Sequence, residues 1–283
     1  MMPSHGNHWT ALYGNDADIE AMIVRNLQES KLIDTFSCVD VTHETERAEE
    51  VTCLRWGNGS IVEDVLIVTD TPKQSRFLFS SYPVLRDGIR HTVTVDRVEP
   101  WEYGIEGWLH VLATEDEIHL SFFDTRYYAG SAALQAGQQI EVCLAGLAYS
   151  LEPAAQSSIE ITEGPFWEMQ KQRRLDDGDS PEESAKPVTI ILSGMAAFFP
   201  RSGEDCDDAE FQGVIESIAT VTHAGKTIYR LEIVVLRPGD EKFRLPIFVS
   251  EAVLDGYVPR LGEDVQGVMW IQGYLLGPLE GEG

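Results

Sequence analysis

The feature that most restricts how this chain can fold is a pattern of turns and short alternating segments that occurs twice. Ile118-His119-Leu120-Ser121-Phe122-Phe123 matches Phe243-Arg244-Leu245-Pro246-Ile247-Phe248. At the same offset, without a gap, Ala136-Gly137-Gln138-Gln139-Ile140 falls on Leu261-Gly262-Glu263-Asp264-Val265. Tyr149 and Leu151 then fall on Tyr274 and Leu276, and upstream Glu106-Gly107-Trp108 resembles Gln212-Gly213-Val214 once the second copy has a longer hairpin. A repeat of this kind bears on the architecture before any single element does. Apolar-polar alternation between turn residues reads as strand, so each copy is an antiparallel meander.

In each copy a turn glycine, Gly137 or Gly262, introduces a long strand that holds a second glycine, Gly146 or Gly273. A glycine inside a strand marks a bulge or sharp bend, the device that lets a small sheet close on itself. About five such strands per copy resemble an OB-like small barrel. The resemblance is to an architecture and covers roughly residues 90–152 and 187–277. No family-specific motif accompanies it, so it carries no functional residue, and an SH3-like or split barrel leaves much the same trace. The fold class that follows is mainly β, with an α+β N-terminal section and two tandem small antiparallel β-barrels, OB-like.

Ahead of the repeat, residues 16–30 read as a helix capped by Asn15 or Asp16, with Ile19, Met22, Ile23 and Leu27 on one face. Strands are expected over 32–41, 51–56, 61–69 and 76–80, with Asn58-Gly59 as a hairpin signal between the second and third. The first copy predicts strands at 91–98, 105–113, 117–123 and 139–150, then a short strand at 158–161 and a helix at 165–175 opened by Pro165. The second predicts strands at 188–192, 211–222, 227–236, 243–249 and 265–275. Between them residues 176–184 are acidic, with Gly and Pro and no apolar side chain, and read as a linker. The expected organisation is 1–89, α+β; 90–175, first barrel plus short helix; 176–186, acidic linker; 187–283, second barrel.

Charge and cysteine usage bear on the setting. The chain has 47 acidic and 21 basic residues, a formal net charge of −26. That charge repels phosphate backbones and argues against nucleic acid as a direct tight ligand. No stretch approaches the roughly 20 apolar residues that cross a bilayer, and Met1 to Trp9 lacks the layout of a signal peptide. Cys38, Cys53, Cys143 and Cys206 form no CxxC pair, so a reduced, cytoplasmic setting is the expectation. Cys38 and Cys143 read as small core side chains. Cys206 lies in an acidic loop that should raise its thiol pKa and make it sluggish.

Chemical motifs are few. The sequence contains no phosphate-cradling GxxxxGK[ST], no GxGxxG after a strand, no HExxH and no GxSxG, and nothing in it calls for a cofactor. His110 and His119 should lie one diagonal step apart on neighbouring strands, but no third metal ligand joins them. His5 and His8 read as part of a mobile terminus. Ile105, Leu109 and Val111 share one strand face, leaving Trp108, His110 and Leu112 on the other, so Trp108 is expected to pack on the N-terminal section or the second barrel.

The leading expectation is a non-enzymatic acidic binding or adaptor protein working through protein–protein contacts toward a basic or nucleic-acid-associated partner. Glu204, Asp205, Asp207, Asp208, Glu263 and Asp264 would supply its acidic rim and Trp108 an aromatic anchor. The alternative is a single-stranded oligonucleotide binder in which Arg126, Arg230, Arg237 and Arg244 line a barrel groove. An enzyme with a dispersed site is the third reading.

Overall fold

A computed structural model describes residues 5–40, 47–70, 75–113, 118–155, 158–237 and 241–276. Two helices come first. The α1 helix (Gly6–Tyr13) ends at Gly14, whose φ of 81° turns the chain sharply into the next helix. The α2 helix (Asp16–Glu29) is capped by the Asn15 side chain, which accepts the Asp18 amide at 3.0 Å. Helical spacing predicts Ile19, Met22, Ile23 and Leu27 as the buried face of α2. The structure buries Met22 and half-buries Ile19 as expected, but it also buries Asn26 and leaves Ile23, Val24 and Leu27 exposed. The reason is polar: Asn26 Nδ2 donates to Glu63 Oε2 at 2.6 Å, and that buried bond fixes which side of the helix meets the sheet.

The sheet beneath the helices is a four-stranded antiparallel meander in sequence order: β1 (Lys31–Asp40), β2 (Arg47–Trp56), β3 (Ile61–Asp70) and β4 (Ser75–Leu85). Its period of two is plain in β3, where Glu63 bonds the helices and Asp64 receives Arg55, with both N–O distances 2.6 Å. The Asn58-Gly59 pair does lie between β2 and β3, but the left-handed residue there is Gly57, at φ 88°.

The rest of the chain builds β5 (Ile89–Pro100), β6 (Gly107–Ala113), β7 (Ile118–Asp124), β8 (Gln139–Pro153), β9 (Ser158–Ile161), β10 (Val188–Ile191), β11 (Ala197–Pro200), β12 (Asp208–His223), β13 (Lys226–Leu236), β14 (Phe243–Ser250) and β15 (Asp264–Leu275). The α3 helix (Pro165–Asp176) and the short α4 (Pro181–Ser184) lie between β9 and β10, and α5 (Glu251–Leu254) follows β14. Because β9 and β10 pair with each other, the acidic 176–186 segment belongs to an excursion whose two ends meet.

Among the described residues nine strands form one ring-like sheet with two closed circuits of hydrogen bonding. One runs β5–β6–β7–β15–β8 and back to β5; the other runs β12–β13–β14–β8–β15 and back to β12. Each half of the chain thus contributes its own meander and borrows the last strand of the other half. The registers of the halves correspond. Pairing skips a residue between Val95 and Arg97 in β5 and between Ile215 and Ser217 in β12. Gly137 donates to the Val95 carbonyl at 2.7 Å, and Gly262 to the Ile215 carbonyl at 2.9 Å. Phe123 is the parallel neighbour of Gln272, as Phe248 is of Leu147.

Alternation divides the strands between two cores. Leu109, Val111, Phe122, Leu144, Ile233, Ile247 and Ile271 point into the rings. Trp108, Phe123, Leu147, Phe248 and Trp270 point out and pack on Trp9, Leu12, Leu66, Tyr82 and Val84 of the N-terminal section. Phe122 and Phe123, successive residues, serve one core each. Among the described residues no helix is long and apolar enough to cross a membrane.

Candidate functional site around the 201–208 turn

The acidic turn singled out in the sequence joins β11 to β12. Gly203, at φ 82°, opens a 3-10 turn, and the Arg201 amide donates to the Asp208 carbonyl at 2.8 Å to close the loop. Asp207 anchors it. Its side chain accepts the Trp270 indole N–H at 2.7 Å, and its carbonyl accepts the Ile271 amide at 2.7 Å. Asp207 is 7% exposed, and burial pushes its carboxyl above the ordinary range. It is a structural acid inside the protein and not part of a rim.

A cleft of about 580 Å³ lies on one side of this turn. Asn7 and Thr10 of α1, Tyr149 of β8, and Arg201, Asp205 and Asp208 of the turn line it. Burial, then the neighbouring charges of Asp207 and Asp205, push the Asp208 carboxyl up to about 7. Tyr149 reaches the cleft because the β8–β15 pairing jumps from Ala148–Met269 to Ser150–Val268, leaving it in a bulge.

Beside this cleft the chain start is packed into the protein, contrary to the expectation of a mobile terminus. His5 and His8 are each 8% exposed. His8 stacks on Trp270 with centroids 3.7 Å apart, and its Nδ1 lies 2.7 Å from the Tyr149 hydroxyl. His5 sits among Tyr82, Trp101, Phe123 and Trp270, with Nε2 3.3 Å from Glu106. Outward-facing aromatics from several strands supply this bed, and aromatic stacking covers the imidazoles.

A second cleft, of about 480 Å³, opens on the other side of the turn. Its floor is a row across three strands: Arg97 of β5 is paired with His110 of β6, and His110 with Ser121 of β7. The bulge after Val95 sets this row by shifting β5 one residue. His110 Nδ1 lies 2.6 Å from Ser121 Oγ, and Nε2 lies 3.1 Å from Glu99 Oε2. Arg97 pairs with the same Glu99 oxygen at 2.8 Å and lies 3.2 Å from His110 Nε2. Burial, then the Arg97 charge, holds His110 below the ordinary imidazole range. Cys206 closes the cleft; burial first, then Asp207, pushes its thiol up to about 12. The sequence anticipates a sluggish Cys206, but burial outweighs the acidic loop as the cause.

The remaining sequence-picked residues are dispersed. Trp108 is 6% exposed, packed edge-on against Trp101 at 5.1 Å, and only borders the second cleft. Glu204 lies within the 3-10 turn. Glu263 accepts from the Tyr257 hydroxyl at 2.6 Å and the Arg260 amide at 3.2 Å. Asp264 accepts from the Gly194 amide at 2.9 Å and Ser193 Oγ at 3.1 Å. Both acids therefore hold turns. Of the arginines, Arg230 donates to the Asp87 carbonyl and Arg244 pairs with Glu216 at 2.7 Å, while Arg126 and Arg237 are exposed. None of the four is among the described residues that line the two clefts. His110 and His119 do lie on the expected diagonal, with His110 buried and His119 exposed.

Sequence reasoning singled out His110, Asp205 and Asp208 but missed Arg97, Glu99, Ser121 and Arg201 as their companions. No protein-family model matches the chain, and a comparison with curated protein sequences finds no match.

Proposed function

We propose that this is an acidic binding or adaptor protein that captures a basic segment of a protein partner, in a cytoplasmic setting. The observation that carries the reading is the placement of Asp205 and Asp208 on one cleft, with the Asp208 carboxyl pushed up to about 7 by burial beside two other aspartates. A partly buried carboxylate beside like charges is relieved when a cation enters, and a lysine or arginine side chain of a partner supplies one. The net charge of −26 adds long-range attraction for such a partner. In this reading the two circuits are small barrels, OB-like in their bent meanders, grown together through β8 and β15. The oligonucleotide alternative lacks comparable support, since Arg230 and Arg244 are engaged within the protein.

The test is affinity capture with the tagged wild-type chain and with Asp205→Asn/Asp208→Asn, read by mass spectrometry and eluate absorbance. A stoichiometric basic protein held by the wild type and lost by the folded double variant supports the reading. Nucleic acid released at high salt, without a protein, would replace it.

A further inference from the structure

We propose that the second cleft is an acyl-transfer site for small carboxylic esters, with Ser121 as nucleophile, His110 as general base and Glu99 as the group that orients the base. The proposal does not depend on the binding reading, which concerns the opposite side of the 201–208 turn.

Three distances carry it. Ser121 Oγ is 2.6 Å from His110 Nδ1, His110 Nε2 is 3.1 Å from Glu99 Oε2, and Arg97 holds that same oxygen at 2.8 Å. Nε2 has two neighbours, the Glu99 carboxylate at 3.1 Å, which only accepts, and the Arg97 guanidinium at 3.2 Å, which only donates. With Arg97 bonded more closely to Glu99 itself, at 2.8 Å, the ring proton is assigned to Nε2 facing Glu99, and Nδ1 is left to accept from the Ser121 hydroxyl. A nucleophile, a base within reach of it and an acid fixing the base make the recurrent hydroxyl-activating arrangement, here with the two ring nitrogens exchanged relative to its usual form. The row lines a cleft large enough for a small substrate and lies under the Ser202–Gly203 turn. The lowered imidazole keeps His110 neutral, as a base must be, and the raised thiol keeps Cys206 protonated.

The chemistry balances without any further reagent. Ser121 Oγ bonds to the ester carbonyl carbon as its proton passes to His110 Nδ1. The imidazolium, still bonded to Glu99 through Nε2, returns that proton to the leaving alkoxide as the C–O bond breaks. Water then attacks the acyl-serine by the same route, releasing the carboxylic acid and restoring the Ser121 hydroxyl.

The experiment uses the full chain with p-nitrophenyl acetate and butyrate, and a fluorophosphonate probe mapped by mass spectrometry. Covalent labelling at Ser121 is expected, with turnover that falls about 100-fold or more in Ser121→Ala. Glu99→Gln should lower kcat about tenfold with KM unchanged, as befits a positioning residue, and Glu99→Asp should recover part of that loss. Ser121→Ala removes one small hydroxyl, and an unchanged circular dichroism spectrum and melting temperature establish that it is folded. Hydrolysis equal in wild type and Ser121→Ala, labelling elsewhere, or no labelling of Ser121 would each overturn the proposal and leave the row as a cross-strand polar ladder.

Discussion

Gly146 lies opposite Ile271 in the β8–β15 pair, and the two residues occupy corresponding places in the two halves of the chain. Pairing therefore runs outward from this point with local twofold symmetry. Leu147 faces Trp270 as Gln272 faces Ala145, and Ala148 faces Met269 as Gly273 faces Leu144. The symmetry ends at Tyr149, which the register jump leaves unpaired. Tyr149 is also the residue that meets His8 and lines the acidic cleft, so the departure from the repeat falls where one half acquires a feature the other lacks.

The centre of this pair predicts unequal effects from two formally alike substitutions. A Cβ on Gly146 would come within 2.7 Å of Met269 Sδ, the end of a flexible side chain, and otherwise finds room. A Cβ on Gly273 would meet the Cys143 carbonyl oxygen at 2.9 Å as well as Leu144 and Phe122. Backbone cannot step aside as a thioether can. Gly273→Ala should cost about 2–3 kcal/mol and Gly146→Ala about 1 or less. Urea denaturation of the two variants beside wild type checks the order; equal costs would mean the shared pair is not tightly packed.

Both of these glycines are legible in the sequence as bend markers, and most strand positions follow from alternation to within a few residues. What alternation leaves open is which strand closes a sheet. It reports the faces of Phe122 and Phe123, not that β7 has β15 as its parallel neighbour. The second cleft divides the same way. The opposition of His110 and Ser121 accords with the diagonal expected for His110 and His119, but the approach of Glu99 depends on a one-residue bulge at Asp96 that no pattern marks. Burial of His5, His8 and Asn26 escapes a reading that sends polar residues outward, because their partners come from distant segments.

Glu63 ties the N-terminal section to the ring. Fully buried, it accepts from the Tyr13 hydroxyl, from Arg25 at 2.5 Å and from Asn26 at 2.6 Å, and it lies 2.7 Å from His223 Nε2. Burial alone would raise its carboxyl, but the bonds from His223 and Tyr13 outweigh it and bring the group below its ordinary value of 4.5. A depressed carboxyl contributes stability that is present above the unfolded pKa and is lost as pH falls through the folded one. Glu63→Ala should cost about 3–5 kcal/mol at pH 7 by leaving Arg25 and His223 unpaired, and the shape-conserving Glu63→Gln less. The gap between wild type and Glu63→Gln should shrink in denaturant titrations below about pH 4. A gap constant from pH 7 to pH 3 would mean the carboxylate charge contributes nothing.

The exposed 176–180 stretch offers a site for limited proteolysis, and the strand pairing predicts what a cut there does. The two fragments would still share the β8–β15 ladder from Val142–Leu275 to Pro153–Val265 and the β9–β10 pair. A chain nicked in this segment should run as two bands under denaturing conditions yet elute as one species on native size exclusion, separating only in denaturant. Fragments that part in native buffer would instead indicate two independent units.

Asp208 gives a dependence on pH of the opposite sign to that of Glu63. Its carboxyl, ordinarily near 3.8, is pushed up to about 7 by burial and by Asp207 and Asp205. Because the folded value lies above the unfolded one, the contribution to stability is fully present below pH 3.8 and is lost as pH rises through about 7. Asn in this place has the shape of the protonated acid and no charge to lose. Asp208→Asn should therefore match wild type near pH 4 and exceed it by about 1–2 kcal/mol above pH 8, the figure discounted for partial solvent access to the cleft. Urea midpoints at the two pH values decide the matter. A variant that is no more stable at pH 8 would mean that Asp208 ionises without strain, and the cleft would lose the electrostatic reason for taking up a cation.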